Sequence, residues 1–264
     1  MLRNTNRATD LKVISLVSVG CHPKSGRARR AEQDSRAVEL GLKLAGGGLT
    51  MVHAGDHQQE ALRGYLGMGL KDMAVIRQPE TADVIPALQE YLQQQRPDIV
   101  LTGVRAERGE GSGMTPYLLA EQLGWPVVTR IADVVSIDNG EAEILQALPR
   151  GQRRALKVRL PFVASVDLAA DAPRQSAFGP GCRGAISSIN STVTEDSLSS
   201  DWTESPARKR PKRLKVIKAK TAADRFKAAT AKVQGGGGKV LKNESTREKA
   251  QAILDLLTEE AVLR

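Results

Sequence analysis

The stretch GEGSGMTPYLLAEQLGWP, residues 109–126, poses the first chemical question. Gly109, Gly111 and Gly113 crowd around Ser112, and an apolar-periodic run follows at once. Such a run reads as a helix, and a helix start presents N–H groups that no intrahelical carbonyl accepts, with the positive end of the dipole behind them. Glycines let a ligand approach the backbone closely, and Ser112 adds a hydroxyl. The combination suits an anion, phosphate above all. The pattern is neither a Walker A loop nor GxGxxG, so the plain alternative stays open: a turn, with Ser112 as an ordinary N-cap.

Few other residues offer chemistry. His22, His53 and His57 are the three histidines. His53 and His57 flank Ala-Gly-Asp at a strand end, which hints at a metal, although a strand-end histidine is more often simply hydrogen-bonded. Cys21 stands before His22, yet no carboxylate or amide partner for a reactive thiol can be named, and a buried inert cysteine is the simpler reading. No nucleophile–base pair is evident, so bond-making catalysis is not expected.

Composition narrows the class. The 264 residues carry 41% hydrophobic side chains but only 3% aromatic ones, so ring stacking on a base or flavin has few residues to draw on. Much of the net charge of +9 sits in ARKRPKRLKVIKAK, residues 207–220, which reads as a solvated segment or docking strip before a nucleic-acid arm. No apolar run is long enough to span a bilayer, and MLRNTNRATD at the start lacks the apolar segment of a secretory signal. With two distant cysteines, Cys21 and Cys182, in no ligand pattern, a reduced, cytoplasmic setting is expected.

The elements that must position the glycine loop alternate. VISLVSVG (13–20), LTMVHAG (49–55), MAVIR (73–77), PDIVLTG (97–103) and PVVTR (126–130) read as strands. Between them SRAVELGLKLA (35–45), HQQEALRGYLGMGL (57–70), ADVIPALQEYLQQQ (82–95) and the run after Gly113 read as helices. This predicts a doubly wound, mostly parallel α/β sheet of Rossmann-like form. In such a sheet ligands lie beyond the carboxyl ends of the strands, where Ser18–Gly20, His53–Asp56 and Gly103–Gly113 would converge. Residues 132–167, with turn signals at Asn139-Gly140 and Arg150-Gly151, read as an appended antiparallel meander, closing a first domain at 1–167. From Leu168 to about Gly238 little regular pattern is evident, and VQGGGGK (233–239) reads as a joint. Ser245 and Glu248 form a capping box ahead of AQAILDLLTEEAVL, a helix that needs a surface to lie on.

Three segments, EALRGYLGMGLKDMAVI (60–76), PDIVLTGVRA (97–106) and SGMTPYLLAEQLGWP (112–126), resemble the β subunit of electron transfer flavoprotein. LPFVASVDLAADAPR (160–174) and RLKVIKAK (213–220) resemble two further passages of that family. The chain is therefore identified as a divergent member, which implies the adenine nucleotide α hydrolase-like version of the fold. The resemblance implies an α-subunit partner, an FAD shared with it, and AMP, or a second FAD in its place, in the β-subunit pocket. The nucleotide contacts it implies are Ser18, Asp34, Ala54, Gly55, Gly103, Val104, Arg105, Ala106, Gly111, Ser112 and Gly113. It also implies a partner-docking role for Phe178, within a recognition loop and basic linker at 168–235, and an arm at 236–264 that docks on the partner subunit. Electrons would come from a flavoprotein dehydrogenase of acyl-CoA or N-methyl-amine type and pass to a downstream acceptor, with no bond chemistry in this subunit and no insertion into a membrane. The family pattern is altered at AEQD (31–34), which lacks Asn-Pro-Phe before the aspartate, at Met114 in place of glutamine, and at Gly111 in place of an acidic residue. Two other classes remain in view: a stand-alone adenine-nucleotide sensor of the universal-stress type, and a nucleic-acid binder acting through residues 207–220.

Overall fold

Short apolar runs without charge form the central strands of the computed structural model, which describes residues 11–203, 205, 207, 221–223, 225, 226 and 241–259. In chain order the elements are β1 (Val13–Leu16), β2 (Val19–Cys21), β3 (Ala28–Arg30), α1 (Glu32–Ala45), β4 (Thr50–Gly55), α2 (Arg63–Leu66), β5 (Asp72–Arg77), α3 (Val84–Gln95), β6 (Ile99–Gly103), α4 (Thr115–Leu123), β7 (Val127–Asp138), β8 (Glu141–Ala147), β9 (Arg153–Arg159), β10 (Phe162–Val166), α5 (Phe178–Arg183), β11 (Ala185–Asn190), α6 (Ser197–Ser200) and α7 (Thr246–Glu259). The described chain divides into two compact units, one ending at Asp201 and the other running from Trp202. The basic tract from 208 to 220 and the joint at 233–239 lie outside the described residues.

The first unit is a nine-stranded sheet in the order β11-β5-β4-β1-β6-β10-β7-β8-β9. Pairs from β11 through β7 are parallel, and β7-β8 and β8-β9 are antiparallel. Strands covered on both faces need apolar side chains on both, and β1, β6 and β10 are buried at every residue. One face packs Val38 of α1 and Tyr65 and Leu66 of α2 against Met51, Leu101 and Phe162. The opposite face packs Leu88 and Leu92 of α3 and Leu119 of α4 against Ile14, Val52 and Val100. The expected doubly wound α/β architecture is present.

Several elements differ from expectation for identifiable reasons. LPFVASVD does not belong to the meander. Its core, β10, lies between β6 and β7, parallel to both, because five consecutive buried residues suit a central strand and not a half-exposed one. The stretch after Leu168 is also not without structure. It forms α5, then β11, which adds to β5 over six paired residues, Ala185↔Asp72 to Asn190↔Arg77. Beyond β11, the Thr194 carbonyl accepts the Asp83 N–H at 2.8 Å and Asp196 N–H donates to the Thr81 carbonyl at 3.0 Å, fastening residues 191–196 to the approach of α3. The expected helix at 57–70 shrinks to a short 3-10 turn and the single turn of α2, since Gly64, Gly67 and Gly69 interrupt it. A small antiparallel hairpin, β2-β3, was not anticipated at all.

In the second unit α7 carries the expected capping box: Glu248 N–H donates to Ser245 Oγ at 3.3 Å, and Ser245 N–H donates back to Glu248 Oε2 at 2.8 Å.

The glycines of α2 serve packing. Gly67 lies so close to residues 176–177 that a Cβ there would run into Ser176 Oγ and come within 2.8 Å of the Ala177 carbonyl oxygen. The Gly67 carbonyl accepts the Ala177 N–H at 2.9 Å. Substituting Gly67→Ala is therefore expected to destabilise the fold by about 1–3 kcal/mol. Urea unfolding followed by far-UV circular dichroism reads the loss, and Gly48→Ala, where a Cβ meets open space, serves as the control.

Candidate functional site

Where β1, β4 and β6 end, their carboxyl termini and the loop before α4 enclose a cleft of about 190 Å³. Its wall on the α3–α4 face is apolar: Leu16, Val52, Ala54, Val84 and Leu88. Across from it lie Ser18, Asp34 and His53, and the loop end supplies Gly103, Val104, Arg105, Ala106, Gly113 and Thr115. Eight of the expected nucleotide contacts thus meet around one space. Gly55, Gly111 and Ser112 do not line it.

Asp34 holds the floor of the cleft. It sits in the first turn of α1, and its Oδ2 accepts from Ser18 N–H at 2.8 Å and Ser18 Oγ at 2.5 Å, while Oδ1 accepts from Gly103 N–H at 3.1 Å. One carboxyl group thereby joins the ends of β1 and β6 to α1. Gly103 has to be glycine here, since a Cβ would press on Asp34 Oδ1 and lie 3.0 Å from Gln33 Cβ. Burial pushes the Asp34 carboxyl up to about 6, against the three donors, which pull it down.

Two residues that the sequence did not single out complete this frame. Tyr65 Oη donates to the Ser18 carbonyl at 2.8 Å and accepts the Ala31 N–H at 2.8 Å, so the fully buried phenol ties the end of β1 to the start of α1. Glu107 accepts from Cys21 N–H at 2.9 Å and Glu32 N–H at 2.8 Å, and pairs with Arg29 at 3.2 Å. It pins the β2-β3 hairpin and α1 to the loop after β6. Their partners lie 34 to 86 positions away in the chain, so no local pattern could have revealed them.

The glycine loop behaves in part as expected. Gly113 has φ +76°, and a Cβ there would meet the Val104 carbonyl oxygen at 2.5 Å. Ser112 is not the N-cap. That position is Met114, without a side-chain cap, and Ser112 Oγ accepts only a long bond from Met114 N–H at 3.4 Å. Thr115, the first residue of α4, lines the cleft; behind it Pro116 has no N–H, and the N–H groups of Tyr117 and Leu118 both donate to the Met114 carbonyl at 3.0 Å. The metal reading of the histidines fails on geometry. His53 turns inward, with Nδ1 2.8 Å from the Val17 carbonyl oxygen, His57 lies at the surface 3.8 Å from Asp56, and no metal-ligand cluster is found among the described residues.

Phe178 stands apart from the cleft. It opens α5 and is 87% exposed, the most exposed large apolar side chain among the described residues. Its support is firm: Arg63 Nη1 donates to the carbonyls of Gly181, Cys182 and Gly184 at 3.2–3.4 Å, and Arg174 pairs with Glu39 at 2.8 Å. That pairing holds the Glu39 carboxyl below its usual range.

The comparisons with known proteins agree on one family. A family model described as the electron transfer flavoprotein domain matches residues 26–194. The chain is 55% identical over 257 residues to an electron transfer flavoprotein subunit beta of Chromohalobacter salexigens, covering 96% of each. It is 31% identical over 146 residues to a putative electron transfer flavoprotein subunit of Escherichia coli, covering 51% of this chain and 54% of that one. A probable electron transfer flavoprotein subunit beta of Saccharomyces cerevisiae is 26% identical over 121 residues, 44% of this chain and 46% of that one.

Asp34 allows a test of the frame. A carboxyl whose folded pKa lies above its unfolded value takes up its proton more readily when folded, so the fold gains stability as pH falls through about 6 and the gain levels off near the ordinary value of 3.8. Relative to Asp34→Asn, the native chain is expected to gain on the order of 3 kcal/mol between about pH 7 and pH 4. At pH 7 the variant is expected to lose hydrogen bonds, because its amide N–H faces the donors of Ser18 or Gly103. Thermal melts of both proteins across that range check the sign, and parallel pH profiles would contradict it.

Proposed function

The chain belongs to the electron transfer flavoprotein family as a β subunit, and from that premise we propose that it forms a heterodimer with an α subunit and carries electrons from a flavoprotein dehydrogenase to a downstream acceptor. The shared FAD would supply the redox chemistry when bound, receiving electrons from the donor and passing them on one at a time. In this reading the role of the chain is to bind, orient and dock.

The cleft at the strand ends fits AMP. The apolar wall of Leu16, Val52, Ala54, Val84 and Leu88 suits the flat base, and the loop end from Gly103 to Ala106, with Gly113 and Thr115 at the start of α4, suits the phosphate. The nucleotide would act as a filler that fixes the loop from Gly103 to Gly113 against α4. A flavin ring in this cleft would find no Phe, Tyr or Trp side chain in the lining to stack on, which favours AMP over a second FAD.

The single observation that carries the docking part is Phe178: a large apolar side chain, 87% exposed, on a segment braced by Arg63 and by the Arg174–Glu39 pair. Rigid support under an exposed ring is what a transient interface needs, since little ordering entropy is lost on contact. The donor would be a dehydrogenase of acyl-CoA or N-methyl-amine type, whose surface offers an apolar pocket. The α7 helix, with Ile253, Leu254 and Leu256 uncovered within its own unit, would lie on the α subunit. No described helix is long and apolar enough to cross a membrane, in keeping with a carrier that meets its acceptor by docking. The stand-alone sensor finds no support, because the near-full-length likeness runs through the C-terminal segments that such a sensor would not need.

Expression of this chain with its α subunit is expected to give a yellow heterodimer that releases AMP on denaturation; a colourless single chain would contradict the proposal. In that heterodimer, Phe178→Ala is expected to raise the KM for the reduced donor about tenfold or more, as loss of roughly 1.5–3 kcal/mol of burial implies, at unchanged flavin content. Equal loss of flavin and transfer would instead give Phe178 a role in holding the subunits together.

A further inference from the structure

The cleft contains one buried polar group that the frame leaves half used. His53 is 8% exposed at the end of β4, and its Nδ1 lies 2.8 Å from the Val17 carbonyl oxygen. A carbonyl oxygen can only accept, so Nδ1 carries the proton and donates it. Burial draws the ring below the ordinary histidine range, in keeping with a neutral imidazole at pH 7. In a neutral ring protonated on Nδ1, Nε2 has a lone pair and nothing to donate. No described residue bonds to that nitrogen.

The backbone keeps Nε2 open. Gly55, two residues on and on the same side of the strand, has its Cα beneath the ring, and a Cβ there would come 2.7 Å from Nε2. Any side chain at 55 would cover the nitrogen. Open to the cleft, that nitrogen can be hydrated; a ligand that fills the cleft strips the water from it, and the lost bond is replaced only by a ligand that donates. Phosphate has no such donor at neutral pH, and the anion end of the cleft lies at α4 instead. What remains is the nucleoside, with its exocyclic amine and its ribose hydroxyls.

We propose that His53 Nε2 accepts a hydrogen bond from the nucleoside portion of the bound nucleotide, and that this bond sets which nucleotide the cleft prefers. The inference rests on the reading of the cleft as an adenine nucleotide site and adds to it a side chain that discriminates. It also assigns Gly55 a role: although it does not line the cleft, it leaves the acceptor uncovered.

The test uses the nucleotide-depleted heterodimer, titrated calorimetrically with AMP, with IMP, in which a carbonyl oxygen replaces the amine, and with 2′-deoxy-AMP, which lacks one hydroxyl. The native protein is expected to bind AMP about tenfold more tightly than one of the two analogues, as loss of one buried hydrogen bond implies. In His53→Leu that gap is expected to close to within about twofold. A gap against IMP identifies the amine as the donor, and a gap against 2′-deoxy-AMP identifies the hydroxyl. Native affinities within about twofold across all three ligands, or a gap that persists in His53→Leu, would overturn the proposal. Should the leucine variant not fold, the 15N spectrum of histidine-labelled native protein decides. The unprotonated Nε2 signal moves on addition of AMP and stays in place with the analogue that lacks the donor, and a signal indifferent to AMP rejects the bond. Failure of every nucleotide to bind removes the adenine reading as well, whereas AMP binding without discrimination removes only the part given to His53.

Discussion

The Asp34 carboxylate is the constraint on which the site depends. A parallel sheet leaves the carboxyl ends of its strands as separate loops, and a cleft exists there only if something holds those loops at a fixed spacing. Asp34 does so by accepting both hydrogen-bonding groups of Ser18 and the amide of Gly103, so the ends of β1 and β6 are fastened to one side chain of α1. Burying a carboxyl group is costly, as its raised pKa shows, and the three donors offset only part of that cost. Tyr65 and Glu107 extend the same principle outward, each using one polar side chain to satisfy backbone amides from distant parts of the chain.

Much of this fold was readable because its strands are apolar on both faces. β1, β4, β5 and β6 stand out as short β-branched runs bounded by glycine or charge. β10 is just as apolar but follows the turn signals of the meander, so its neighbours in sequence pointed to the wrong place in the sheet. β11 was invisible for another reason. AISSIN is an edge strand held by backbone bonds to β5, and such a strand tolerates serine at positions where a central strand would not. In the site, the glycine loop announced itself by composition, and the family likeness placed Asp34. The work Asp34 does was not readable, since only the structure shows its oxygens turned to backbone amides. Ser112, prominent in the sequence, does not line the cleft, and Met114 occupies the cap position of α4.

The segment around Phe178 is built by different means from the cleft. Around Phe178 the fold relies on close approach instead of buried charge, with Gly67, Gly181 and Gly184 letting α2 and α5 nearly touch and Arg63 satisfying three carbonyls at the end of α5. A single turn of helix has little stability of its own. Its rigidity is borrowed from α2, which is itself held through Tyr65 to the frame of the cleft. The cleft and the exposed ring thus share one structural root.

Residues 191–196 lead to a broader consequence. They run back along the approach to α3, with Thr194 and Asp196 bonded to Asp83 and Thr81, and Gln78 donating to the Thr192 carbonyl at 3.1 Å. α3 in turn contributes Val84 and Leu88 to the apolar wall. The polar segment therefore departs from an anchored point and not from a loose end. Downstream of Asp196 the chain can be lengthened, shortened or recharged without touching these bonds, and the chamber behind the anchor keeps its shape.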